Sequence, residues 1–258
     1  MTIWGALVGT YGIDSYCNPI TIRVLPGIYE TPLYNAGIGE PYCNNRYIRI
    51  VGADKDSCIL KQCNPCGEFP KTTDGIAAEI NCLRLGCGNV KVENLTFIST
   101  SESPLDLHKG NYLGGTWRGY CVHIDTDALA SESDTIELKN CKFYNDHACC
   151  LGIGIDAKQT VILSDCEIVT EVKNMSKVYE NTDCAILVHN RAHGSKNAKS
   201  PDSYFVVRNC SIKTNRQFAV KAVSVFNSFQ TIEFVGNTVH NNGSKPVIYY
   251  GTHTLKVL

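Results

Sequence analysis

Three aspartates and two histidines, Asp125, Asp127, Asp183, His123 and His189, are of types that suit acid, base or nucleophilic work and stand at spacings that could bring them together. Paired carboxylates can cut a glycosidic bond, one protonating the leaving oxygen and the other acting as base or nucleophile, and their separation decides the outcome. In "VHID", His123 and Asp125 alternate with Val122 and Ile124, so on a strand they face away from the side that the apolar residues choose. The same alternation turns Gly152 and Gly154 outward in "LGIG", and His189 outward in "ILVHN". Asp125, Gly154 and His189 are thereby expected in one row, near Asp127, Asp183 and Asn190. Such a strip, floored by glycine and edged by carboxylates and histidines, suits a polysaccharide, which needs close approach and many hydrogen-bond partners. Its plain alternative is the solvated outer face of a repeat protein. Trp117, in the aromatic stretch "NYLGGTWRGY", could stack on a sugar ring or pack over the body of the protein. The expected catalytic set is Asp183, Asp125 and His123. Asp127, Gly152, Gly154, His189, Asn190 and Trp117 are the expected binding set.

A second chemistry is metal binding. "CNPCG" at 63–67 and "CLRLGCG" at 82–88 bring four thiols, Cys63, Cys66, Cys82 and Cys87, which could close a tetrahedral structural zinc site. The first spacing is typical of zinc sites and the second is less so. Cys82 in a core, Cys87 in a turn, or a disulfide between Cys63 and Cys66 are the competing readings. No other cofactor is expected.

The elements that would position these residues are repeated. "VKVENLTFI", "IELKNCKFY", "VILSDCEIV", "FVVRNCSIK" and "IEFVGNTVH" share one pattern of two short strands around a bend. Aligned, they stack Val90, Ile136, Val161, Phe205 and Ile232, and after the bend Leu95, Cys141, Cys166, Cys210 and Asn237. The bends "EN", "KN", "SD", "RN" and "VG" use residue types that tolerate a left-handed backbone. Successive units start 46, 25, 44 and 27 residues apart, which fits one turn of about 25 residues lengthened in places by insertions. Between units run further alternating stretches such as "YCVHIDTD" and "FAVKAVSVFN". An antiparallel sandwich or propeller would call for more hairpin signals than the single Asn-Gly near the end. The reading is an all-β protein, a right-handed parallel β-helix, in which Cys141, Cys166 and Cys210 form one interior column of small hydrophobes. It is read as one domain over 1–258, with a helical cap in 1–18 that plugs the open end of the core, solenoid turns over 19–258, and insertions near 101–119 and 189–203.

The totals narrow the partners. With 24 basic and 25 acidic residues the chain has no field to gather nucleic acid or an anionic membrane, and no apolar stretch long enough to span a bilayer. The start "MTIWGALVGTYGIDSYC" lacks the basic segment of a signal peptide, which weakens a disulfide reading of the 14 cysteines.

The segments "ITIRVLPGIYE" and "RYIRIVGADKDSCIL" resemble the opening strands of the pectin-lyase-like superfamily, and within it of pectin methylesterases. The resemblance runs over most of 19–240 and implies the β-helix fold. It also implies an esterase site in which a carboxylate attacks, a carboxylic acid protonates the oxyanion, glutamines stabilise it and an arginine holds the nucleophile. "TDCAIL" keeps the carboxylate at Asp183, but "HACCL" puts Ala148 at the position of the acid, "GYCVHI" replaces the glutamine segment, and no Gly-Arg-x-Trp motif follows. The chain is similar as well to β-helices of phage tails and gut-bacterial surfaces. Together these imply a carbohydrate-binding protein that has lost esterase catalysis, taking a polysaccharide or oligosaccharide and lying outside the cell or on a virion. An enzyme rebuilt around the carboxylates, whether esterase, lyase or hydrolase, and a structural component are the alternatives. The strand-like end "VIYYGTHTLKVL" leads to the expectation of a homotrimer or a longer parent chain.

Overall fold

The computed structural model describes residues 3–10, 13, 18–31, 37–38, 47–62, 81–85, 89–100, 120–126, 135–146, 148–155, 160–172, 183–189, 203–223, 230–243, 245–250 and 254–257. Their strands fall into three parallel sheets, each made of every third strand in chain order. Sheet A has eight strands: Ile20–Val24, Tyr47–Gly52, Asn89–Glu93, Thr135–Lys139, Thr160–Ser164, Ser203–Arg208, Gln230–Val235 and Thr254–Val257. Sheet B has seven: Gly27–Thr31, Cys58–Gln62, Thr96–Ser99, Lys142–Asn145, Glu167–Thr170, Ser211–Thr214 and Thr238–His240. Sheet C has seven: Gly37–Ile38, Leu83–Leu85, Val122–Thr126, Leu151–Ile155, Cys184–His189, Phe218–Val223 and Val247–Tyr250. One strand from each sheet makes a turn of a parallel β-helix.

The register follows the apolar alternation. Ile136 lies between Val90 and Val161, Leu138 between Val92 and Leu163, and Phe143 between Phe97 and Ile168. Sliding any strand by one residue would turn its apolar set out of the core, so burial itself fixes the pairing. The rings of Phe97 and Phe143 stack with centroids 5.3 Å apart.

The corner from sheet A to sheet B is made the same way in turn after turn. Asn94, Asn140, Asp165, Asn209 and Gly236 have φ of 57°, 49°, 56°, 53° and 64°. Most L-residues avoid that region because Cβ crowds the carbonyl, whereas Asn, Asp and Gly accept it. Asn140 Nδ2 donates to Asn94 Oδ1 at 2.7 Å, linking neighbouring corners. The next residue in each of the first four, Leu95, Cys141, Cys166 or Cys210, is buried in the core.

A second column stands at the entrance to sheet C. There two consecutive residues join the core: Cys82 and Leu83, Cys121 and Val122, Cys150 and Leu151, Ala185 and Ile186, Ala219 and Val220. Strict alternation fails at this bend, and only small side chains fit its first position. That explains three more cysteines. In both columns the thiols donate to main-chain carbonyls, as Cys82 does to Ile98 O at 3.2 Å and Cys166 to Ser164 O at 3.2 Å. Contact with Cys141 and burial push the Cys166 thiol up, and contact with Cys166 and burial push up Cys210, so these sulfurs stay protonated.

At the N-terminal end the helix Ile3–Val8 inserts Ile3 and Leu7, one helical turn apart, into the core. It lies within the 1–18 stretch read as the cap. Thr10 Oγ1 donates to Leu7 O at 2.6 Å just beyond the last turn.

Candidate functional site

The strands of sheet C carry His123, Asp125, Gly152, Gly154 and His189 among the residues singled out for chemistry. Its register sets Arg84, His123, Gly152, Leu187 and Lys221 in one row across five turns. It sets Asp125, Gly154 and His189 in the next. Alternation puts His123 on the outer side of its strand, opposite Val122 and Ile124, yet its exposure is 0%.

Tyr120 is the reason. Its ring lies 5.0 Å from the imidazole of His123, tilted by 38°, and extends over the next turn. A Cβ at Gly152 would clash with three carbons of that ring, with Cδ2 at 2.8 Å. The glycine floor expected to receive a sugar therefore receives Tyr120, which corrects the expectation that His123 and Gly152 line an open strip. Tyr120, Cys149, Cys184 and Leu187 form a small buried cluster on this side, with Phe218 packed against it. Nothing in the sequence marks Tyr120 as the residue that folds back, because its neighbour Cys121 enters the core at the bend where alternation fails.

Asp183 stands at the mouth of the strand Cys184–His189. Both of its carboxylate oxygens accept from Lys221 Nζ, at 3.1 and 2.9 Å, while its carbonyl accepts from Phe218 N at 3.2 Å. The Lys221 side chain is 8% exposed and that of Asp183 19%, so the pair sits at the edge of the apolar cluster with its acidic end toward solvent. Sequence reasoning missed Lys221. The signal was a lysine in the middle of "FAVKAV", where Val220 and Ala222 point into the core and the residue between them must point out. His123 belongs to the third turn and Asp183 to the fifth, two strand spacings or about 10 Å apart along the axis. The covered Gly152 turn lies between them, so the two do not share a proton directly.

Ala148, at the position of the esterase acid in the resemblance, is buried, and its N–H donates to Asn145 Oδ1 at 2.9 Å. A methyl group there can protonate nothing. Cys82 faces the core with its thiol engaged by Ile98 O, an orientation suited to packing. Cys63, Cys66, Cys87, Asp127, Asn190 and Trp117 lie outside the described residues. Among the described residues no three His, Cys, Asp or Glu side chains gather as metal ligands, and no helix is long and apolar enough to cross a membrane.

The connections distinguish sheet C further. From sheet A to sheet B the chain takes two residues in six of seven turns, such as 94–95, 140–141 and 165–166. The long connections all adjoin sheet C: 63–82, 100–121 and 171–183 lead into it, and 190–202 leads out. Two clefts lie elsewhere, at the N-terminal end, where Val24, Leu25 and Arg23 meet Ile3, Tyr29 and Arg49. Among the described residues neither is lined by a carboxylate or a histidine.

No curated protein matches the chain. Among solved structures, a pectin methylesterase from carrot is similar at 12% identity and a TM-score of 0.47, over 100% of this chain and 84% of that one. The family described as the right-handed β-helix region matches residues 82–258, well over half of the sequence. With three parallel sheets wound in sequence order and this match over most of its turns, the chain belongs to the right-handed β-helix family.

Proposed function

We propose that this chain is a glycan-binding β-helix whose binding face is the outside of sheet C, and that it does not work as a pectin-type esterase. The observation that carries the reading is the Asp183–Lys221 pair, a carboxylate and an ammonium held together on the one face that the long connections adjoin. Each Asp183 oxygen keeps a lone pair for a sugar hydroxyl, and polar groups fixed in advance bind without the cost of ordering them. The neighbouring row sets Asp125, Gly154 and His189 side by side in the backbone register, and Gly154 is buried there, so the reading rests on the Asp183–Lys221 pair and not on a glycine floor. Ala148 in place of an acid supports binding over ester hydrolysis.

The test is a glycan array, read with mass spectrometry of a mixed oligosaccharide panel that includes methyl-esterified galacturonides. The wild-type chain is expected to bind at least one glycan class and to leave every mass unchanged. Asp183→Asn should weaken that binding about tenfold, the worth of one charge-assisted hydrogen bond. Methyl loss or shorter products, absent with Asp183→Asn, would overturn the proposal. They would establish the second reading, an enzyme with Asp183 as nucleophile, which the two-oxygen grip of Lys221 favours because it aims the carboxylate. In the binding reading the chain serves outside the cell or on a virion, as a homotrimer or as part of a longer chain. A monomer by light scattering would remove the trimer.

A further inference from the structure

The nine cysteines among the described residues are all thiols and all buried. Seven of them send their sulfur to a main-chain carbonyl at 3.1–3.7 Å, which accounts for each as a packing residue with a weak hydrogen bond. Cys149 and Cys184 are placed differently. Their sulfurs face each other at 3.4 Å. They belong to the small cluster outside sheet C, with Tyr120 and Leu187, and not to the continuous core inside the solenoid.

Their backbone positions suit a covalent link. Cys150 N donates to Ala185 O at 2.9 Å, so the residues just before these two stand opposite each other on adjacent turns. Adjacent parallel strands run about 4.8 Å apart. A disulfide spans Cα separations of about 4.4–6.8 Å. Small rotations about the side-chain bonds, without movement of the main chain, therefore bring the sulfurs together. The thiols of the two inner columns also neighbour one another, but they are enclosed by all three sheets. Among the described residues, Tyr120, Leu187 and Phe218 are the apolar side chains packed with the outer pair.

We propose that Cys149 and Cys184 form a disulfide that staples the fourth turn of the solenoid to the fifth, beside Asp183. The oxidant is a small disulfide of the glutathione type. One protein thiolate attacks it, releasing one small thiol and leaving a mixed disulfide. The second protein thiolate then attacks the protein sulfur of that intermediate and expels the other small thiol. Two protein S–H bonds and one S–S bond are lost, one protein S–S bond is gained, and the two protons end on the two released thiols. Burial and the facing Cys149 push the Cys184 thiol up, so the exchange is slow at neutral pH and quickens roughly tenfold per pH unit.

The link closes a loop of 35 residues. It pins the strand that Asp183 leads into, and the unfolding midpoint rises by several degrees. The proposal stands apart from the glycan reading, since it is tested without any ligand.

The full chain is reduced, unfolded, refolded in a glutathione redox buffer so that burial does not limit access, alkylated, and digested with trypsin without reduction. The expected product joins the peptides 143–158 and 178–191, the first containing Cys149 and Cys150 and the second Cys184 alone. Cys150→Ser should keep the linked product and the raised midpoint, while Cys149→Ser and Cys184→Ser should lose both. Refolded chains with the native circular dichroism spectrum but without the linked peptides would overturn the proposal. Linkage that survives Cys149→Ser would overturn it too, since it would then run through Cys150.

Discussion

At the scale of single residues, the outer face of sheet C shows how one missing side chain can serve a neighbour instead of a ligand. Gly152 has no room for a Cβ because the ring of Tyr120 lies over it. Gly152→Ala must therefore push that ring away from His123 and loosen the cluster that includes Cys184 and Leu187. Overpacking of this kind costs about 1–3 kcal/mol, and thermal unfolding of the variant should show it as a lowered midpoint. Gly154, in the adjacent row, is a useful comparison, because its register partners are Asp125 and His189. The glycines were visible in the sequence as a gap in bulk, but what fills the gap was not. Alternation names the face on which a residue lies and is silent on whether a side chain from the turn before folds over it.

At the scale of elements, the corner between sheets A and B is where local chemistry most directly sets the fold. Asn140 combines a left-handed backbone with a hydrogen bond to Asn94. Asn140→Ala should cost about 1–2 kcal/mol from the strained backbone, plus part of the hydrogen bond. Asn140→Gly, which accepts the backbone but not the bond, should lose less, and chemical denaturation of the two variants gives the order. The outer face of sheet A offers an electrostatic counterpart. Arg49 meets Glu93 at 2.7 Å, and Lys91 bridges Glu93 and Glu137 at 3.3 and 3.2 Å. Burial alone would push Glu93 up, but hydrogen bonds from Arg49 and Lys91 outweigh it and hold its carboxyl below the ordinary range. A carboxylate stabilised in the folded state contributes above its unfolded pKa and loses that contribution as pH falls through the lowered folded value. Glu93→Gln should therefore be slightly less stable than the wild type at neutral pH, by under about 1 kcal/mol because Arg49 is exposed. The difference should vanish on acidification or in high salt, as thermal melts across pH and salt would show.

At the scale of the whole molecule, the repeat was legible because the core is a stack. The alignment of Val90, Ile136, Val161, Phe205 and Ile232 in the sequence is the strand pairing of sheet A, residue for residue. Cys141, Cys166 and Cys210 shared a column for the same reason, since any small hydrophobe serves at that corner. The second column, through Cys82, Cys121 and Cys150, was hidden because two consecutive inward residues break the period of two. The Asp183–Lys221 and Cys149–Cys184 pairs were hidden because each joins different turns across a connection whose length the sequence does not reveal. Connection length also governs how such a molecule can change. One extra residue between Asn140 and Cys141 would break the two-residue corner and put Phe143 out of step with Phe97 and Ile168, an error confined to that turn because each later strand pairs afresh after its own connection. A whole turn is another matter: Thr135 pairs with Thr160, so a copy of residues 135–159 inserted after itself would keep every column in phase. The rod would lengthen by a single strand spacing, about 4.8 Å. Length in this molecule is quantised, and the unit is one whole turn.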